Sequence, residues 1–207
     1  YPERTSKYLE DDRYEIFKAT WWKDVPDEML SNHHFRHNCG DELKRKITAC
    51  SDSHLRCLEK IKNEKINNAI IIEDDAVIDF KRLSELNFIN EPCYIGGIFY
   101  PPLLKDVKDF IKPNYLSDGL NMIDPEKFVI NNAHGYYMPN YLDTNLFLEK
   151  HYEKRRAIDV EFKRQQIKKK LKYFVYPAIS ILHLKDAQTG FTWGSSNYNL
   201  KDDLRFY

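Results

Sequence analysis

The run Asn68-Ala69-Ile70-Ile71-Ile72-Glu73-Asp74-Asp75-Ala76-Val77 constrains this chain more than any other stretch, because an apolar segment ends abruptly in three consecutive carboxylates. Apolar, β-branched residues bounded by Asn67-Asn68 predict a buried strand, since such side chains fill both faces of a covered parallel sheet. The acids then fall at its carboxyl end, in the crevice where open α/β sheets bind ligands. Crowded carboxylates raise one another's pKa and favour either protonation or a counter-ion. Oxygen donors suit Mg²⁺ or Mn²⁺, which are often held through only one or two protein carboxylates. The competing reading is that the acids cap the next turn and face water.

A chain of 207 residues buries a sizeable core and is expected to form one α/β domain over residues 1–207. Its 32 basic and 32 acidic residues cancel, so no global field recruits nucleic acid or an anionic membrane. No run reaches the length of a membrane-spanning helix, and the first residues lack the basic and apolar regions of a secretory signal. A soluble chain is expected. Cys39, Cys50, Cys57 and Cys93 form no Cys-x-x-Cys pair, which fits a reducing cytoplasm, that of a host cell if the source is viral. His33, His34, His37 and Cys39 cluster without a matching second half-site, and a solvated loop before a helix accounts for them better than zinc.

Along the chain, Tyr14–Ala19 reads as a short strand. From Asp41, the positions Leu43, Ile47, Cys50, His54, Leu58 and Ile61 recur at three- and four-residue steps and predict an amphipathic helix packed on the sheet. Tyr94–Tyr100 reads as a strand containing Gly96-Gly97 and ended by Pro101-Pro102, and Leu103–Met122 as surface loop. His134–Met138 is a further strand, and Pro139-Asn140 opens a helix running to about His151. Asp159 is the expected N-cap of the next helix, with Phe162, Ile167 and Leu171 inward. Its basic side, Lys163, Arg164, Lys168, Lys169, Lys170 and Lys172, is read as a solvated face in preference to a phosphate groove. Tyr173–Leu184 is a strand region broken by Pro177, and the tail from Lys185 is expected to be mobile.

The order of these features resembles glycosyltransferase family 25, the lipopolysaccharide-type transferases. The likeness rests on Cys50-Ser51-Asp52-Ser53-His54-Leu55, Ile70 to Asp75, His134-Gly135-Tyr136-Tyr137-Met138, Ile158-Asp159-Val160 and Val175-Tyr176-Pro177. A viral glycosyltransferase of the chlorella-virus capsid type is a second likeness. The resemblance departs at Lys46-Ile47-Thr48-Ala49, where the family places glycines and an acid before its cysteine. It implies a GT-A-like nucleotide-sugar-binding α/β fold with a mostly parallel central sheet flanked by helices.

The implied activity is metal-dependent transfer of a sugar from a nucleotide diphosphate sugar, with a UDP-sugar as donor, to a glycan or glycoprotein acceptor. Glu73 and Asp75 have the acid-x-acid spacing of the GT-A metal motif. Residues two apart on an extended segment project the same way, so the pair would reach one Mn²⁺ or Mg²⁺, or one ion and the ribose, with Asp75 favoured as the direct ligand and Asp74 turned towards the sugar. His183 stands where such enzymes draw a further ligand, and a strand histidine satisfied by hydrogen bonds is its equal alternative. Lys185 and the loop after it would close on the diphosphate, while Arg4, Thr5 and Arg56 would contact the nucleotide. An inverting enzyme needs a base near the acceptor hydroxyl; Asp159 fits, with Glu161 in reserve. Trp21, Trp22, Trp193 and Tyr136 are candidates for stacking on sugar faces, with core packing the commoner use. Two other functions share parts of this pattern: a sugar-1-phosphate nucleotidyltransferase, for which the glycine-rich N-terminal loop is missing, and a non-enzymatic carbohydrate-binding domain.

Overall fold

A computed structural model describes residues 14–31, 40–100, 116–151 and 156–182. Its longest element is helix α2, Asp41–Asn63, preceded by the short helix α1, Asp27–Ser31. Of the apolar stripe foreseen from Leu43 to Ile61, His54, Leu58 and Ile61 are buried, with Leu55 beside them, while Leu43, Ile47 and Cys50 are half-buried. Asp41 and Glu42 complement the positive end of the helix, and Lys60 and Lys62 the negative end. The i,i+4 ion pairs Lys46–Glu42 (2.8 Å) and Lys60–Glu64 (2.9 Å) lie along it and just past its end.

Strands β1 (Ala69–Ile72), β3 (Cys93–Tyr94), β5 (Gly119–Met122), β7 (Gly135–Met138) and β8 (Tyr173–Tyr176) form the main sheet, in the order β1-β7-β3-β8-β5. The mostly parallel sheet expected from the sequence is not what forms. β3 and β8 run parallel, and the other three pairings are antiparallel. The apolar run of β1 correctly signalled cover on both faces, and an antiparallel sheet with two covered faces meets that condition equally well. Registered rows cross the sheet on each side. Ile71, Tyr136, Tyr94 and Phe174 stand opposite one another, and Ile70, Tyr137, Cys93 and Tyr173 form the neighbouring row.

The first row packs with α2, with α3 (Asn145–His151) and with α4 (Ile158–Ile167) in a core that includes Phe147, Leu148 and Phe162. The second row packs against Leu83, Leu86 and Ile89, from and just beyond a 3-10 segment, Phe80–Phe88. The sheet is thus flanked by helices as expected, with α2, α3 and α4 on one face and the 3-10 segment on the other. Two small ribbons complete the described fold: β2 (Ala76–Ile78) with β9 (Ser180–Leu182), and β4 (Ile98–Tyr100) with β6 (Val129–Asn131).

Several boundaries differ from the sequence reading. Residues 14–20 are irregular and form no strand. Tyr94–Tyr100 is not continuous: the chain leaves the main sheet at Gly96-Gly97 and pairs with β6 instead. A Cβ on Gly96 would lie 2.3 Å from the Ser180 carbonyl oxygen, so only glycine fits that crossing. The segment read as loop up to Met122 ends in β5. The N-cap of α4 is Ala157, which puts Asp159 inside the first turn. Ile167 is 52% exposed, whereas Leu171 is buried beyond the helix end. Asn140 does open the next helical segment, its side chain accepting from Leu142 N–H at 2.9 Å while Asp143 accepts from Asn140 N–H at 3.0 Å. Among the described residues no helix is long and apolar enough to cross a membrane.

Candidate active site

The acid-tipped strand and helix α2 meet at Glu73. Its N–H donates to the His134 carbonyl at 3.1 Å, which extends the β1–β7 pairing one residue beyond Ile72. Alternation along the strand then sends the Glu73 side chain to the face of Ile71, towards α2. Helix α2 presents Cys50 and His54, one turn apart and therefore on one side. His54 Nε2 lies 3.1 Å from Glu73 Oε1, and the Cys50 thiol approaches the same oxygen at 4.0 Å. The other ring nitrogen, Nδ1, is 3.0 Å from the Tyr136 hydroxyl, and Tyr136 lies opposite Ile71 in the sheet. A chain of contacts thus runs from the buried core, Tyr136 to His54 to Glu73, out to a carboxylate whose side chain is 29% exposed.

The electrostatics follow from this placement. Burial raises the Glu73 carboxyl, but the hydrogen bond and charge of His54, with a smaller contribution from His134, outweigh it and leave its pKa below the ordinary value. Glu73 is therefore held as a carboxylate. The Cys50 thiol moves the other way, well above its usual range, first through burial and then through the negative charges of Glu73, Asp159 and Asp75. Those three carboxylates, from β1, the following turn and α4, consequently bear on one small region. Burial depresses His134, whose Nε2 contacts the Ser180 carbonyl at 3.3 Å, and the Glu73 charge only partly offsets that.

The residues after Glu73 do not continue as a strand. Ala76 N–H donates to the Glu73 carbonyl at 3.1 Å, closing a turn over Asp74 and Asp75 before β2 begins. The expectation that Glu73 and Asp75 project together from an extended segment is thus replaced by a turn, with Asp74 exposed and Asp75 half-buried. Asp159 Oδ1 accepts from Val160 N–H at 2.8 Å in the first turn of α4. Glu161 is different. It is 2% exposed and accepts from Gln165 Nε2 at 2.7 Å and Arg164 at 3.1 Å, an interior role for the residue held as a reserve base.

Arg56 is exposed and donates to Thr20 Oγ1 at 3.0 Å, with its guanidinium 5.2 Å from the Phe17 ring, so it ties the segment before α1 to α2. Trp22 takes the ammonium groups of Lys23 and Lys46 at 5.4 and 5.5 Å. Tyr136 is buried and serves the core and His54 instead of presenting a sugar platform. Arg4, Thr5, His183, Lys185 and Trp193 lie outside the described residues, as do His33, His34, His37 and Cys39.

His54 and Cys50 were not singled out as site residues from sequence, although both stand in the Cys50-Ser51-Asp52-Ser53-His54-Leu55 element that carries the family resemblance as well as in the apolar stripe of α2. The available signal was chemical: a histidine and a cysteine at i,i+4, on the sheet-facing side of a helix leading into an acid-tipped strand.

The model for glycosyltransferase family 25, described as an LPS biosynthesis protein family, matches residues 5–100, just under half of the chain. The chain thus resembles that family, and the match supports a glycosyltransferase. The matched stretch contains Cys50, His54, Glu73 and Asp75, and leaves Asp159 beyond its end. It carries no information on a viral source. A comparison with curated proteins returned no match.

Proposed function

We propose that this chain is a metal-dependent glycosyltransferase of GT-A-like architecture that moves a sugar from a UDP-sugar to a glycan or glycoprotein acceptor. The observation that carries the reading is Glu73, kept ionised by His54 at the carboxyl end of β1, inside the stretch that matches the family. Its carboxylate and that of Asp75 on the following turn are hard oxygen donors of the kind Mn²⁺ and Mg²⁺ take. One of the two Glu73 oxygens is engaged by His54, which orients the group as outer partners orient metal ligands. When bound, the ion would act as a Lewis acid on the departing diphosphate.

The remaining roles fall to the chain's own groups. Asp159 accepts the proton of the acceptor hydroxyl if transfer inverts configuration, as a carboxylate at a helix start near the acidic cluster. Asp74, exposed on the turn, faces the sugar, and Arg4, Thr5, His183 and Lys185 complete the nucleotide and metal contacts. The family resemblance favours glycosyl transfer over nucleotidyl transfer and over carbohydrate binding without catalysis.

Calorimetric titration with UDP tests the core of this reading. Binding is expected in Mn²⁺ and lost in excess EDTA. Asp75→Asn should abolish the Mn²⁺-dependent heat while leaving the metal-free unfolding midpoint nearly unchanged, because Asp75 lies on a turn outside the two apolar cores. UDP binding indifferent to Mn²⁺ and to this substitution would overturn the assignment.

A further inference from the structure

We propose that Cys50, His54 and Glu73 form a second, softer metal site, one that takes Zn²⁺ or Co²⁺ between helix α2 and the end of β1. Their potential ligand atoms, the Cys50 sulfur, a His54 ring nitrogen and a Glu73 oxygen, all lie within 4.8 Å of one another. Two ligand atoms held on one tetrahedral zinc, at roughly 2.0–2.3 Å from the ion, stand about 3.3–3.6 Å apart. The observed separations of 3.1 Å from His54 Nε2 to Glu73 Oε1 and 4.0 Å from Cys50 sulfur to the same oxygen bracket that span. Side-chain adjustments on the order of an ångström close the set.

The donor types decide which ion fits. Thiolate and imidazole select zinc-like ions, whereas Mg²⁺ and Mn²⁺ prefer carboxylate and water. The orientation of His54 supports ligation as well. Its Nδ1 already contacts the Tyr136 hydroxyl, the outer partner that fixes the ring and leaves Nε2 directed at the site. On binding, the Cys50 thiol and the His54 Nε2–H that faces Glu73 each give a proton to solvent, and His54 keeps its ring hydrogen on Nδ1. The tyrosine hydroxyl accepts it there, being able to serve as donor or acceptor. Three protein ligands leave a fourth position for water. Access is from the half-buried side of Cys50 and Glu73, and the nearby charges of Asp75 and Asp159 favour a cation there.

Resting on the glycosyltransferase reading is one consequence: a zinc-like ion that takes the Glu73 oxygen withdraws it from the Mn²⁺ side, so Zn²⁺ inhibits Mn²⁺-dependent donor binding. The site itself is tested without that reading, by titrating the protein with Co²⁺ alone. Thiolate ligation is expected to give a sulfur-to-cobalt charge-transfer band in the near ultraviolet together with tetrahedral visible bands. Cys50→Ser should remove the charge-transfer band, and Cys57→Ser, on the same helix but outside the cluster, should retain it. Cys39→Ser separates this site from the histidine-rich segment before α2 and should also retain the band. No charge-transfer band in the parent, a band surviving Cys50→Ser, or a band lost with Cys39→Ser would each overturn the proposal. Failure of Mn²⁺-dependent UDP binding with an intact cobalt spectrum would instead count against the transferase reading alone.

Discussion

At the scale of single residues, the pairing of Glu73 with His54 decides the character of the site. The acids were visible in the sequence because an apolar run stopping at three carboxylates has few innocent explanations. The role of the histidine that keeps one of them charged was not: it stands in the element that carries the family resemblance, but also at a core-facing step of a regular stripe, and nothing in spacing alone separates a partner from a packed side chain. Removing it has a calculable direction. His54→Ala leaves a half-buried carboxylate and the Tyr136 hydroxyl without their shared partner, which is expected to cost about 1–3 kcal/mol near neutral pH.

The pH dependence carries a sign too. Glu73 sits below its ordinary value of 4.5 in the folded protein, so the unfolded chain binds the proton first as pH falls. The stability it contributes is therefore complete above that value and is lost as pH drops through the folded pKa. In His54→Ala the terms that outweigh burial are largely gone and the Glu73 pKa rises, so acid unfolding should begin at higher pH than in the parent. Urea denaturation at a series of pH values checks this. Superimposable stability profiles for the two proteins would show that the contact has no energetic role.

At the scale of elements, the helix with a clean three-and-four periodicity was legible almost to its ends, and so was β1. Boundaries set by backbone crossings were not. The continuous strand expected from Tyr94 to Tyr100 fails at Gly96-Gly97, where the chain passes the carbonyl of Ser180 and the ring of His134 too closely for any side chain. The apolar alternation on either side gives no hint that the two halves serve different sheets. Gly97 adds a φ of +149°, which L side chains rarely adopt.

Gly96→Ala should therefore force its methyl onto a backbone oxygen and destabilise by about 1–3 kcal/mol or more. Gly40→Ala makes a matched control, since a Cβ at that N-cap meets nothing within 4 Å. Its cost should be limited to about 1 kcal/mol or less, the preference for glycine over alanine at an N-cap. Comparable unfolding midpoints for Gly96→Ala and Gly40→Ala in chemical denaturation would contradict the close crossing.

For the whole molecule, the sequence indicated that strands were covered on both faces but was blind to their direction, because side-chain alternation has the same period whichever way a strand runs. What unites the elements is an aromatic cluster. The Phe162 ring on α4 lies 4.8 Å from Tyr136 in the sheet, 4.3 Å from Phe147 on α3 and 5.8 Å from Tyr94, between centroids. The same cluster backs His54, whose ring is 5.7 Å from that of Tyr136. Phe162→Ala should cost about 3–5 kcal/mol, as full truncation of a buried aromatic does.

The milder Phe162→Leu separates stability from function. Asp159 stands one turn before Phe162, so seating α4 on the cluster also sets where the proposed base lies, whereas Glu73 and Asp75 depend on β1 and α2. At a temperature where the variant remains folded, turnover should fall several-fold while Mn²⁺-dependent affinity for UDP stays near that of the parent. Steady-state kinetics paired with calorimetry makes the distinction. An equal loss in both would mean that the cluster supports the nucleotide side of the cleft as much as the acceptor side, and Asp159 would lose its separate role.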